Sequence, residues 1–152
     1  MKIVKLDSGK EAINEALKTI IKGGLVVFPS DTVYGLLVDA TCEKAIKKLI
    51  AFKSRPPGQA ISVFVSDFKM ATDIAKINNK QRQLLTKLLP GCFTVVLKSK
   101  HKVCWTLESE KGTIGIRIPD YKLITELVAQ LGRPITATSA NISGRPPYYK
   151  IS

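Results

Sequence analysis

The chain reads as one α/β (α+β) domain built on a twisted, mixed β-sheet flanked by helices. Short β-prone apolar runs alternate with helical periodicities along its length, and no linker, internal repeat or low-complexity tract divides it. Its 152 residues, 45% of them apolar, are enough to bury one core and exclude a mostly disordered chain.

Ser8-Gly9-Lys10-Glu11 has the form of a capping box, and Ile13, Leu17, Ile20 and Ile21 follow at helical spacing up to Gly23-Gly24. Leu25-Val26-Val27-Phe28 is short and continuously apolar, which predicts a central strand stopped by Pro29. After a polar turn from Ser30 to Tyr34, Leu36-Leu37-Val38 predicts a second strand. Thr41 is placed to cap a helix carrying Ala45, Ile46, Leu49 and Phe52, which delivers Lys53 and Arg55 before Pro56-Pro57-Gly58 breaks it.

Ile61 to Val65 predicts a strand, and Ser66-Asp67 and Asn78-Asn79 can cap two further helices ahead of Pro90-Gly91. Strands are also predicted over Phe93 to Leu97 and Thr113 to Ile118, with a basic, less regular loop between them. Asp120 opens a helix through Ile124, Leu127, Val128 and Leu131 to Gly132. Pro134 to Thr138 is a last short strand running into a loop at Ser139. Strand order does not follow from these patterns.

Lys and Arg number 24 against 12 Asp and Glu, a formal net charge of +12, so nucleotides, RNA or an anionic surface are candidate partners. A solvated basic surface that only aids solubility is the plainer alternative. Cys42, Cys92 and Cys104 form no CxxC and cannot all pair within the chain, which suits a reducing compartment. No apolar run approaches a membrane span and the first residues lack a signal-type apolar stretch, so a cytoplasmic protein is expected.

Absent motifs narrow the chemistry. There is no GxxxxGKS/T, GxGxxG, HExxH or GxSxG, and the one histidine, His101, lies between Lys100 and Lys102 as a surface residue would. Ser139 has no recognisable His and Asp partners for a nucleophile role.

What remains is positioning chemistry, in which oriented cations and hydrogen-bond donors neutralise charge developing on phosphate oxygens. Lys53 and Arg55 are either a triphosphate clamp or an ordinary helix-terminal charge pair. Ser139 and Asn141, two apart in a tight loop, are either ligand contacts or turn residues, and Asp31-Thr32 carries the same ambiguity. Arg117 inside an apolar strand needs an anionic partner or ligand.

Five segments in order resemble the motif series of the YrdC/TsaC family: Pro29-Ser30-Asp31-Thr32-Val33-Tyr34-Gly35-Leu36, Lys53-x-Arg55-Pro56, Pro90-Gly91-x-Phe93-Thr94-Val95-Val96-Leu97, Gly112 to Pro119, and Thr138-Ser139-Ala140-Asn141-Ile142-Ser143-Gly144. The resemblance covers nearly the whole chain. It implies a single YrdC-like domain over residues 1–152, ending before the strands and helix with which such domains usually continue.

The implied activity is that of a threonylcarbamoyl-AMP synthase, joining L-threonine, bicarbonate and ATP into threonylcarbamoyl-adenylate and pyrophosphate. Mg2+ would accompany ATP, without a dedicated protein metal site. The threonylcarbamoyl transferase complex would then carry the group to the tRNA adenosine next to the anticodon. Lys53, Arg55, Ser139 and Asn141 match the family's catalytic KxR and SxN motifs; Thr32, Thr113 and Arg117 join them as substrate- and ATP-binding residues.

Ser30 replaces the usual threonine, Ala60-Ile61 the usual proline-leucine, and Tyr148-Tyr149 a hydroxyl-rich segment. Two other readings stay open: a catalytically inactive double-stranded RNA- or tRNA-binding relative, and the carbamoyl-adenylate chemistry of hydrogenase-maturation proteins, whose domains sit in longer polypeptides.

Overall fold

The order of elements follows the alternation of the sequence. The computed structural model describes residues 3–4, 9–56, 58–147 and 149. Ser8 of the expected capping box, Pro57 of the breaker and Tyr148 lie outside the described residues.

The helices are α1 (Gly9–Ile21), α2 (Glu43–Lys53), α3 (Phe68–Ile74), α4 (Asn79–Leu88) and α5 (Lys122–Leu131). The strands are β1 (Val26–Phe28), β2 (Gly35–Leu37), β3 (Ser62–Phe64), β4 (Ala75–Lys76), β5 (Val95–Ser99), β6 (Thr113–Arg117) and β7 (Ile135–Ser139), with a 3-10 turn at Trp105–Leu107. They form one seven-stranded sheet in the order β1-β2-β7-β3-β6-β5-β4. β3 and β6 pair in parallel; the other neighbours are antiparallel.

Successive strand residues point to opposite faces, and the sequence uses both. Leu36, Val63, Ile114 and Ile116 join one core with Ala45, Ile46 and Leu49 of α2, Ala71 and Ile74 of α3 and Leu85 of α4. Their neighbours Leu37 and Phe64, with Phe28 and Ile135, join a second core with Ile13, Ala16 and Ile20 of α1 and Ile124, Leu127 and Val128 of α5. The sheet is therefore the middle of three layers. α1 packs so closely on α5 that a Cβ on Gly9 would sit 2.8 Å from Leu123 Cδ2.

Several local signals act as read. Asp67 accepts from the Met70 N–H to cap α3, Asn78 and Gln81 form a reciprocal capping box on α4, and Gly132, in the left-handed region, closes α5. Thr136, wholly buried in β7, satisfies its hydroxyl on the β2 backbone, accepting from Val38 N at 3.1 Å and donating to Leu36 O at 2.9 Å.

Others differ. Among the described residues β1 is an edge strand, paired only with β2, although its continuous apolarity predicts a central one. The apolar run spans both sides of an edge: Leu25 packs on the α2-side core and Val26 and Phe28 on the α1-side core, while Val27 between them is 40% exposed. Thr41 does not cap α2. It donates its hydroxyl to buried Asp39, leaving Cys42 at the N-cap position without a side-chain bond.

Ile21 and Phe52, read onto apolar faces, are 64% and 57% exposed. Asp120 does not open α5, whose N-cap is Tyr121. β4 is a two-residue strand directly after α3, too short to carry a pattern.

Candidate functional site

The helical cover of the sheet is incomplete on the α1/α5 side, and the candidate site lies where it stops. Phe28, Leu37, Ile135 and Phe64 are roofed by α1 and α5, whereas Val96 on the same face farther along is 67% exposed. Val96 pairs with Gly115, and Phe64 with Arg117. A Cβ on Gly115 would fall 2.4 Å from Ser62 Oγ, so only glycine keeps this floor flat. Beside it is a cleft of about 150 Å³ lined by Ser30, Thr32, Val33, Gly35, Phe64, Thr94, Arg117, Ala137, Thr138 and Ser139.

Arg117 supplies the charge of this cleft, and folding fixes it closely. Its side chain is 10% exposed, donates from Nε to Gly91 O at 3.2 Å and from Nη1 to Thr32 Oγ1 at 3.4 Å, and places Nη2 2.6 Å from Asp31 Oδ1. The last contact is one of charge rather than an aligned hydrogen bond. The guanidinium also lies over the Phe64 ring, 5.6 Å from its centroid. The anionic partner that a strand arginine demands is thus Asp31, 86 positions away in sequence.

The Ser30–Tyr34 turn is held by Ser30, whose hydroxyl donates to Val33 O at 2.6 Å and accepts from the Thr32 and Val33 N–H groups.

Lys53 illustrates a different arrangement. It follows Ile46 and Leu49 on the buried stripe of α2 and is 2% exposed. Its ammonium donates to Ser139 O, to Asn141 O at 2.9 Å and to Asn141 Oδ1 at 3.0 Å, so all three N–H groups are spent on one loop. Burial, then the neighbouring Arg55 charge, lowers its pKa from 10.5 to about 8.

The loop is tied down further. Ser143 N donates to Lys53 O, Ala140 N to Tyr34 O, the Ser139 hydroxyl to Asn141 Oδ1, and Asn141 Nδ2 to Arg145 O.

Ser54, left-handed at φ 48°, ends α2 just before Arg55. Arg55 donates to Gln59 O at 3.3 Å and Ala60 O at 2.8 Å, bracing the chain after the breaker, and burial lowers its pKa.

The structure therefore joins Lys53, Ser139 and Asn141 by direct bonds and gathers Thr32, Arg117 and Ser139 around one cleft. Thr113 stands apart: it lies at the other end of β6 from Arg117, its hydroxyl 2.7 Å from Ser109 Oγ, and does not line the cleft. Only membership of the same strand groups it with Arg117. Sequence reasoning misses Ser30, Thr94 and Thr138 as lining residues and leaves Asp31 as a turn residue. The last carries a usable signal, a carboxylate between two hydroxyl residues at a strand end.

His101, on the basic loop, is a surface residue with its Nδ1 2.7 Å from Glu108 Oε2. The three thiols are free. Among the described residues no helix is long and apolar enough to cross a membrane, and no group of three or more His, Cys, Asp or Glu gathers to hold a metal ion.

The profile of the family described as telomere recombination, Sua5/YciO/YrdC, matches residues 18–152. The chain belongs to this family. A Methanocaldococcus jannaschii member, provisionally named threonylcarbamoyl-AMP synthase, is 35% identical over 149 residues, which are 95% of this chain and 70% of the relative.

Among solved Sua5/YciO/YrdC structures, Pyrococcus abyssi Sua5 complexed with L-threonine superposes with a TM-score of 0.86 at 31% identity, covering 97% of this chain and 42% of that one. E. coli YciO gives 0.81 at 28% identity, covering 90% and 66%. The chain thus spans about two fifths of the Sua5 protein.

Proposed function

We propose that this chain is an enzyme that makes threonylcarbamoyl-AMP from L-threonine, bicarbonate and ATP, releasing pyrophosphate. The observation that carries the reading is the cleft: one buried, pinned arginine sharing its lining with Thr32 and Ser139, at a sheet face where Val96 is left exposed. The threonylcarbamoyl-AMP synthase names of relatives and the L-threonine complex of Pyrococcus abyssi Sua5 support it.

In this reading Arg117 holds the threonine carboxylate, and the Ser139 and Thr32 hydroxyls orient the amino acid. The threonine nitrogen bonds to the bicarbonate carbon with loss of water and a proton. The resulting carbamate oxygen then attacks the α-phosphorus of ATP, and the bond to the β-phosphate breaks to release pyrophosphate. Arg55 can swing from its backbone acceptors to offset charge on that leaving group.

Lys53 has no N–H to spare for phosphate while the loop is closed; its part is to hold Ser139 and Asn141 in place. Magnesium enters with the phosphates of ATP. The adenylate would pass to a threonylcarbamoyl transferase complex in the cytoplasm for tRNA modification. The support for RNA contact is an open, basic hollow at the β4/β5 edge, lined by Lys76, Lys98 and Lys100.

The test is pyrophosphate release from ATP and magnesium with each substrate omitted in turn. The proposal requires release that depends on both L-threonine and bicarbonate; release without threonine, or none from folded protein, refutes it.

A further inference from the structure

We propose that Asp31 determines substrate specificity: with Arg117 it forms a paired-charge site that reads the ammonium and carboxylate of an α-amino acid together and rejects carboxylates lacking the amine. This rests on the threonine reading and adds a residue with a direct role in it.

The position, charge and contacts of the pair support this. Among the described residues Arg117 is the one charged residue lining the cleft, and Asp31 lies between two lining residues, Ser30 and Thr32, with its side chain only 13% exposed. A lone arginine in such a place would accept any small carboxylate or phosphate. Asp31 cancels that charge, so a simple anion gains little, while a zwitterion adds no net charge to a site of none.

The 2.6 Å contact between Asp31 Oδ1 and Arg117 Nη2 is not aligned as a hydrogen bond, and among the described residues neither buried atom has another partner. Donor and acceptor capacity is therefore unspent on both sides of the pair. Geometry supplies the rest. The ammonium and carboxylate of an α-amino acid share one carbon, so a ligand that sets its carboxylate on Arg117 brings its ammonium to the adjoining carboxylate. Gly91 O, Thr32 Oγ1 and the Phe64 ring hold the guanidinium in place while the two exchange partners.

Isothermal titration of the wild type and Asp31→Asn with L-threonine and with 2,3-dihydroxybutanoate, its deaminated hydroxyl analogue, tests the assignment. Wild type binds threonine at least about tenfold more tightly than the analogue. Asp31→Asn loses about tenfold or more for threonine and holds or gains affinity for the analogue. Equal loss for both ligands overturns the proposal, leaving Asp31 a counter-ion of Arg117 only.

Should Asp31→Asn fail to fold, the wild type decides alone: the two ligands bound within about threefold overturns it. Wild type binding the analogue but not threonine also overturns it, and folded wild type binding neither overturns the threonine reading itself.

Discussion

Replacing Lys53 by methionine keeps all but the last atom of the side chain's length and removes the three donors that Lys53 gives the loop. The acceptors it leaves behind are unequal. Ser139 O still receives Asn141 N at 2.9 Å, and Asn141 Oδ1 still receives the Ser139 hydroxyl, so Asn141 O alone is orphaned. That costs about 1–3 kcal/mol. Against it stands relief from burying a cation: the fall from 10.5 to about 8 corresponds to at most about 3 kcal/mol.

The two nearly cancel, so stability at pH 7 changes by about 2 kcal/mol or less, a shift in melting temperature of no more than roughly 8 °C. Function does not cancel. Only the Ser143 N to Lys53 O bond would still tie the loop to the end of α2, and misplacing a substrate-orienting loop by about 1 Å costs about 100-fold in rate. Thermal melts, threonine-dependent pyrophosphate release and amide exchange read the three consequences. Faster exchange at Ala140 to Arg145 with unchanged exchange in α5 is the expected pattern. A melting temperature lowered by 15 °C or more, or activity within threefold of wild type, refutes the reasoning.

Lys53 also carries a pH signature. Its folded pKa is the lower one, so the cost of its charge is present in full below about pH 8 and is relieved as pH rises towards 10.5. Urea unfolding should show wild type gaining on Lys53→Met by up to about 3 kcal/mol between those limits; a constant difference contradicts this. Gly115→Val drives a side chain into Ser62 Oγ and should cost about 1–3 kcal/mol while blocking the sheet floor, giving lost activity in a protein that still folds. Arg117→Met should raise KM for threonine at least tenfold while moving KM for ATP much less, checked by varying each substrate. Lys76, Lys98 and Lys100 changed together to alanine should lower the salt slope of RNA binding by about one for each phosphate left unneutralised, and an unchanged slope places RNA elsewhere.

Helices with both a period and punctuation are the most legible parts of the sequence. Asn78 and Gln81 mark α4, and the spacing up to Gly132 marks α5. β1 is legible as a strand but not as an edge, because its exposed middle residue, Val27, is itself apolar and leaves the run unbroken. Thr41 reads as a cap although its competitor is just as local: the carboxylate of Asp39, two residues earlier, takes its hydroxyl and its N–H.

The site shows the same division. Arg117 stands out because a charge in an apolar strand needs a partner, and SxN because small polar residues crowd a strand end. That Asp31 answers Arg117, and that Lys53 spends its donors inward, depends on strand order, which no local pattern carries. The spacing of Ile46, Leu49 and Lys53 does hold a clue: a lysine at the last position of an apolar stripe faces the interior.

The central claim is a covalent product containing all three substrates. Purified protein incubated with L-threonine, ATP, magnesium and carbon-13 bicarbonate, followed by mass spectrometry of the nucleotides, tests it directly. The expected product is an adenylate that contains threonine, carries the isotope and appears in step with pyrophosphate. Pyrophosphate without isotope in any adenylate, or threonine joined to AMP without the carbonyl carbon, would contradict it.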